Sequence, residues 1–266
     1  MGFSVIVKKA SLVGAFFVSA VFLPSAAAFC PTPDGLPVVR VEKVVDGDTV
    51  RLTDGRSVRL IGINAPEVAH KKRPAQPLAE QARQRLQALV AASSGQVSIQ
   101  VGQQARDHYG RALAHIYDAK GQNLEAQLLA EGLGFQVAIA PNVTLLTCQQ
   151  AAERSARAAR LGVWRQPAAR APSQLNDSGF ALIQGQVVKV EQNRGGIWLQ
   201  MDGPLVVQVA KKALPAFDAK TLRSLQGQRI EVRGWVIDRS RRGNQQPGQV
   251  RWMLPLTHPG MLEVLP

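Results

Sequence analysis

Two carboxylates flank a glycine in Asp46-Gly47-Asp48-Thr49, and Arg59, Asn64, Pro66 and Glu67 follow within one short segment. Arg111 comes later, in Asp107-His108-Tyr109-Gly110-Arg111. A glycine lets the main chain turn sharply so that neighbouring oxygens converge, as a hard cation requires. Guanidinium groups present a fork of donors that matches phosphate oxygens. A carboxylate next to proline can take a proton from water if it is held within hydrogen-bonding reach. Singly, Asp-Gly-Asp is an ordinary hairpin turn, Arg59 a strand-surface charge, Glu67 a turn carboxylate and Arg111 a barrel-rim charge. Jointly the combination is specific, since a divalent cation with two guanidiniums is a set able to stabilise a crowded phosphorus centre.

These residues must be positioned by strands. Val38–Val45, Thr49–Leu52 and Ser57–Ile63 alternate as three antiparallel strands, with an Asp-Gly pair at Asp54-Gly55 suited to a tight turn. Leu78, Ala82, Leu86 and Leu89 have helical spacing, which predicts a helix over 75–92 that stops at Ser93-Ser94-Gly95. Strands over 96–101 and 111–117 complete five, and helices are expected over 123–131 and 146–160. The fold expected is mainly β with α: an α+β protein whose first half is a five-stranded barrel of the OB type with helices. Residues 166–178 lack periodicity and read as a linker. Strand patterns over 180–190, 196–201, 205–210, 229–236 and 249–253, with a short helix near 217–225, predict a second small OB-like barrel over 179–266.

The chain has 266 residues and a formal net charge of +13 with 45% hydrophobic residues, so it has core-forming material and a surface attractive to polyanions. The net charge is +2 over residues 1–28, +6 over 29–170 and +5 over 171–266. Lys8-Lys9, an apolar run to Leu23 and the small residues Ala26-Ala27-Ala28 have the layout of a secretory signal peptide, so a periplasmic or secreted protein with no membrane span after cleavage is expected. Export permits oxidation. Cys30 and Cys148 are then a candidate disulfide, with two unrelated thiols as the alternative. Neither histidines nor cysteines have zinc-ligand spacing.

The residues quoted above also resemble the staphylococcal nuclease family. The likeness runs through Val45-Asp46-Gly47-Asp48-Thr49, Arg59-Leu60-Ile61-Gly62-Ile63-Asn64-Ala65-Pro66-Glu67, Tyr109-Gly110-Arg111-Ala112-Leu113-Ala114, residues 121–132 and Leu161-Gly162-Val163-Trp164. It covers about residues 37–165, within a domain read as 29–165. The resemblance implies a Ca²⁺-dependent, sugar-nonspecific endonuclease acting on DNA and RNA. In it Asp48, Asn64 and the main-chain carbonyl of Ala65 would ligate the metal, with Asp46 behind them. Glu67 would act on the attacking water, and Arg59 and Arg111 would grip the phosphate. Asn64 stands where the family has aspartate, which removes a negative charge and implies weaker affinity or another divalent preference. The alternative is a nucleic-acid-binding protein on a weakened nuclease scaffold. Residues 136–141 offer aliphatics where the family often has stacking tyrosines, which leaves Tyr109 as a substrate-binding candidate, with Lys71 and Lys72 in a basic turn that could steer the polyanion. In the second barrel, Trp198, Trp235 and Trp252 lie among arginines including Arg239, Arg241 and Arg242, either as core residues or as a single-strand-binding surface. DNA or RNA is the expected partner, with no stable protein partner.

Overall fold

The computed structural model describes residue 2 and residues 30–70, 74–240 and 248–266. The rest of the expected leader, Lys71, Lys72, Arg241 and Arg242 lie outside these residues.

The first module contains β1 (Val38–Asp46), β2 (Thr49–Leu52), β3 (Ser57–Leu60), β4 (Ile63–Asn64), α1 (Ala79–Ala92), β5 (Gln96–Arg106), β6 (Ala112–Tyr117), α2 (Leu124–Ala130), β7 (Phe135–Gln136) and α3 (Leu146–Ala158). Strands β1-β2-β3-β6-β5 close a barrel in that order, with β3 and β6 parallel and the other pairs antiparallel. Val50, Leu52, Val58, Leu60, Val97, Ile99, Ala114 and Ile116 fill its interior, and α1 covers it with Ala82, Leu86 and Leu89. The helix begins at Ala79 rather than at 75. Leu78 takes φ of 69°, and the residue before Pro77 is biased away from the helical region, so the chain turns before the helix starts. Asn123 caps α2 by accepting from Ala126 N at 2.9 Å, and Gly132 ends it at φ of 70°.

The second module contains β8 (Gly179–Asn193), β9 (Gly196–Met201), β10 (Leu205–Ala210), α4 (Ala219–Arg223), β11 (Arg229–Asp238), β12 (Trp252–Pro255) and β13 (Leu262–Val264). Here β8-β9-β10-β12-β11 close a second five-stranded barrel, with β10 and β12 parallel and β13 added on the outer edge of β11. Both barrels have the same strand order, and each has a helix between its third and fourth strands.

The modules are packed together. Val137 and Ala138, just past β7, are buried in the second core. Between α3 and β11, Arg233 Nη1 donates to Glu153 at 2.9 and 2.7 Å, and Arg157 donates to both carboxylate oxygens of Glu231 at 2.8 and 2.6 Å. Gln136 N also donates to Glu153, at 2.7 Å. The connecting segment is ordered against the second barrel: Arg170 N donates to Leu182 O and Gln184 N to Arg170 O, while Pro172 and Leu175 are buried.

Candidate active site

The β1–β2 turn brings Asp48 to one end of the first barrel. Asp46 Oδ1 accepts from Asp48 N at 3.0 Å and fixes the turn. Gly47 is needed for close packing, because a Cβ there would stand 2.6 Å from that of Ala82 and 2.7 Å from that of Ala65. Asp48 itself is buried. Its Oδ2 accepts from Ala65 N at 2.8 Å and lies 3.0 Å from Arg59 Nη2, and its Oδ1 accepts from Thr49 Oγ1 at 3.0 Å. Burial pushes the Asp48 carboxyl up to about 7, against the lowering effect of Arg59 and with a further push from Asp46.

Arg59 ties the cluster together. It lies on β3, opposite Thr49 of β2 and Leu113 of β6. Its Nη1 donates to the carbonyls of Leu60 and Ile63 at 2.9 and 2.8 Å, while Nη2 reaches Asn64 Oδ1 at 3.4 Å as well as Asp48. Asp48 Oδ2 and Asn64 Oδ1 therefore converge on one cationic nitrogen. These are oxygen donors of the kind a hard cation takes, with little charge: among the described residues no three His, Cys, Asp or Glu side chains gather as a metal cluster. Asp48, Asn64 and the adjoining main chain of Ala65 are the groups able to hold one, with water and substrate oxygens completing the six to eight that a calcium-sized ion takes.

Glu67 is exposed and its main chain is clamped. Its N–H donates to Gln76 Oε1 at 2.9 Å, and Gln76 N donates back to its carbonyl at 2.8 Å. Gln76 is a positioning residue that local motif reading misses, because its partner lies nine residues away. Gln149 is another. Its Nε2 donates to Ile61 O at 3.1 Å, and a Cβ on Gly62 would stand 1.8 Å from its Oε1, so this glycine with φ of 86° makes room for the brace on Ile61.

Arg111 sits at the β5–β6 turn, where Asp107 accepts from its Nε at 2.7 Å and from its main-chain N at 2.9 Å. Burial would raise the Asp107 carboxyl, but its hydrogen bonds from Arg111 outweigh this and the pKa is lowered. Arg111 also lies 5.5 Å from the ring centroid of the exposed Tyr109. Among the described residues no hydrogen bond joins Arg111 to Asp48, Arg59 or Asn64. Asp46, Asp48, Arg59, Asn64 and Ala65 thus form one bonded cluster, while Glu67 and the Arg111–Tyr109 pair are held separately by their own turns. Cys30 and Cys148 are disulfide-bonded, Cα to Cα 5.3 Å, across 118 residues.

The first module is thus a small barrel with a buried carboxylate, an inward-bonded guanidinium and oxygen donors gathered at one end. The staphylococcal nuclease homologue family matches residues 57–166, and the chain belongs to that family. It is 30% identical over 143 residues to a micrococcal nuclease of Shigella flexneri, covering 50% of this chain and 76% of that one. It is 28% identical over 127 residues to a thermonuclease of Staphylococcus intermedius, covering 47% and 74% respectively. The SPbeta prophage-derived endonuclease YokF of Bacillus subtilis is 34% identical over 131 residues, 47% of this chain and 43% of YokF. The chain is accordingly placed among hydrolases, as a nuclease. The family match ends before β8.

Proposed function

We propose that the chain is an exported endonuclease that hydrolyses phosphodiester bonds of DNA and RNA with Ca²⁺ or a related divalent cation. The observation that carries this reading is the convergence of Asp48 Oδ2 and Asn64 Oδ1 on Arg59 Nη2. Asp48, Asn64 and the Ala65 carbonyl would hold the metal, which would neutralise charge on the scissile phosphate. Arg59, released in part from Asp48, turns donors toward the phosphate, and Arg111 supplies a second fork from the β6 edge. Glu67 has an exposed carboxylate on a clamped main chain, which suits it to orient and deprotonate the attacking water. The Cys30–Cys148 disulfide and the signal-like N-terminus support an oxidising compartment.

The test is hydrolysis of single-stranded DNA and RNA by the purified protein in titrations of Ca²⁺, Mg²⁺ and Mn²⁺. Cutting that EDTA abolishes and Glu67→Gln lowers at least a hundredfold supports the reading. Full activity in EDTA refutes the metal assignment. A parent that binds nucleic acid without cutting, and that Asn64→Asp converts into a metal-dependent nuclease, would instead establish a binding protein on a weakened scaffold.

A further inference from the structure

The second barrel presents aromatic side chains that continue from the candidate site. Asn64 of β4 and Phe135 of β7 are directly opposite in their short antiparallel ladder, so their side chains leave the same face. The ring of Phe135 lies 5.4 Å from Phe180, and Phe180 lies 5.3 Å from Trp235. Phe180 and Trp235 are themselves directly opposite in the β8–β11 ladder. The inner end of this row is held by Trp164, edge-on to Phe135 at 5.3 Å and covered by Arg157. The outer end is open. Trp235 is 40% exposed and, with the 46% exposed Ile139 of the first module, it lines an apolar cleft of about 200 Å³ at the seam between the modules.

We propose that Phe135, Phe180 and Trp235 form a stacking track for the bases of a single strand whose scissile phosphate lies at the Asp48–Arg59–Asn64 cluster. The second barrel then contributes a subsite to the substrate site. The ring spacings leave no room for a base between neighbours, so bases lie against the exposed side of the row, with Trp235 as its main platform. Nucleic acid is the occupant that fits, because the row begins beside groups suited to a phosphate and both modules carry net positive charge. Every base has a π face, so such a track is indifferent to sequence and favours strands whose bases are already unstacked. The inference rests on the nuclease reading of the first barrel.

Two measurements on the full chain separate the two ideas. In EDTA, fluorescence anisotropy with labelled oligothymidylate should show Trp235→Ala binding about tenfold more weakly than the parent, and Trp235→Phe restoring most of that loss. With metal present, hydrolysis of bis(p-nitrophenyl) phosphate by the parent tests the chemistry of the first barrel without a base to stack. Equal affinity of parent and Trp235→Ala for the oligonucleotide overturns the track even if the small diester is cut. A parent that cannot cut the small diester with any divalent cation overturns the nuclease reading, and with it the placement of the scissile phosphate.

Discussion

The two barrels share strand order, the parallel closure of third strand on fifth, and a helix between third and fourth strands, yet they spend their charged residues differently. At the β1–β2 turn of the first, Asp46 and Asp48 lead into a buried carboxylate bonded to Arg59 across the barrel end. The corresponding β8–β9 turn of the second carries Asn193, whose Oδ1 accepts from Gly195 N at 2.8 Å and from Trp198 Nε1 at 2.9 Å. The same turn chemistry there fixes an aromatic ring. The third strand, which brings Arg59 in the first barrel, is Leu-Val-Val-Gln-Val-Ala in the second. Buried charge in the second barrel instead gathers on β11, where Glu231 and Arg233 dock against α3. The topology provides a rigid frame, and a few side chains at one turn and one strand decide whether it holds a reactive centre or a partner.

That contrast can be broken in graded ways. The largest effect expected is from the disulfide, whose 118-residue span encloses the first barrel and α2. Removing it with Cys30→Ala and Cys148→Ala together should lower stability by about 4–5 kcal/mol on the chain-entropy account, read as a fall in the urea midpoint. Next comes the docking network. Glu153→Ala leaves Gln136 N without its acceptor and Arg233 with only Glu231 and the Gln136 carbonyl, so a loss of about 3 kcal/mol is expected in the same assay. The buried Glu231 gives a pH signature. Burial alone would raise its pKa, but hydrogen bonds from Arg157 and Gln184 outweigh that and lower it below its ordinary 4.5. Its contribution is therefore present above that value and lost as pH falls through the depressed folded one. Unfolding curves from neutral to acid pH should show a shallower acid decline in Glu231→Gln than in the parent. The smallest effect is Asn193→Ala, about 1 kcal/mol, with a change in Trp198 fluorescence and no change in hydrolysis of a small diester.

Much of the first barrel is legible in the sequence because its signals are local. Residues 46–67 carry the turn, Arg59, Asn64 and Glu67 in a single run, and alternation sets β1 to β3. The start of α1 is not legible from spacing, since Leu78 keeps the apolar period while Pro77 spoils the backbone for it. Strands β4 and β7 have two residues each and no periodicity, though their pairing places Asn64 beside Phe135. The interface was illegible for a different reason: Glu153 and Arg233 are 80 residues apart, and nothing local marks either as buried. Gln76 and Gln149 escape sequence reading likewise, because polar side chains that brace a main chain have no motif. The disulfide needed a distance, which spacing cannot supply.

The account depends on Asp48 and its partners acting as one reactive cluster. Asp48→Asn keeps the shape and an oxygen to accept from Ala65 N, with its amide nitrogen donating to the Thr49 hydroxyl in place of the bond accepted now, while removing the charge, so the comparison to make is kcat/KM for a small phosphodiester in parent and variant at saturating divalent metal, with circular dichroism confirming equal folding. A loss of about a hundredfold or more is predicted, and a folded variant that cuts as fast as the parent would contradict the assignment.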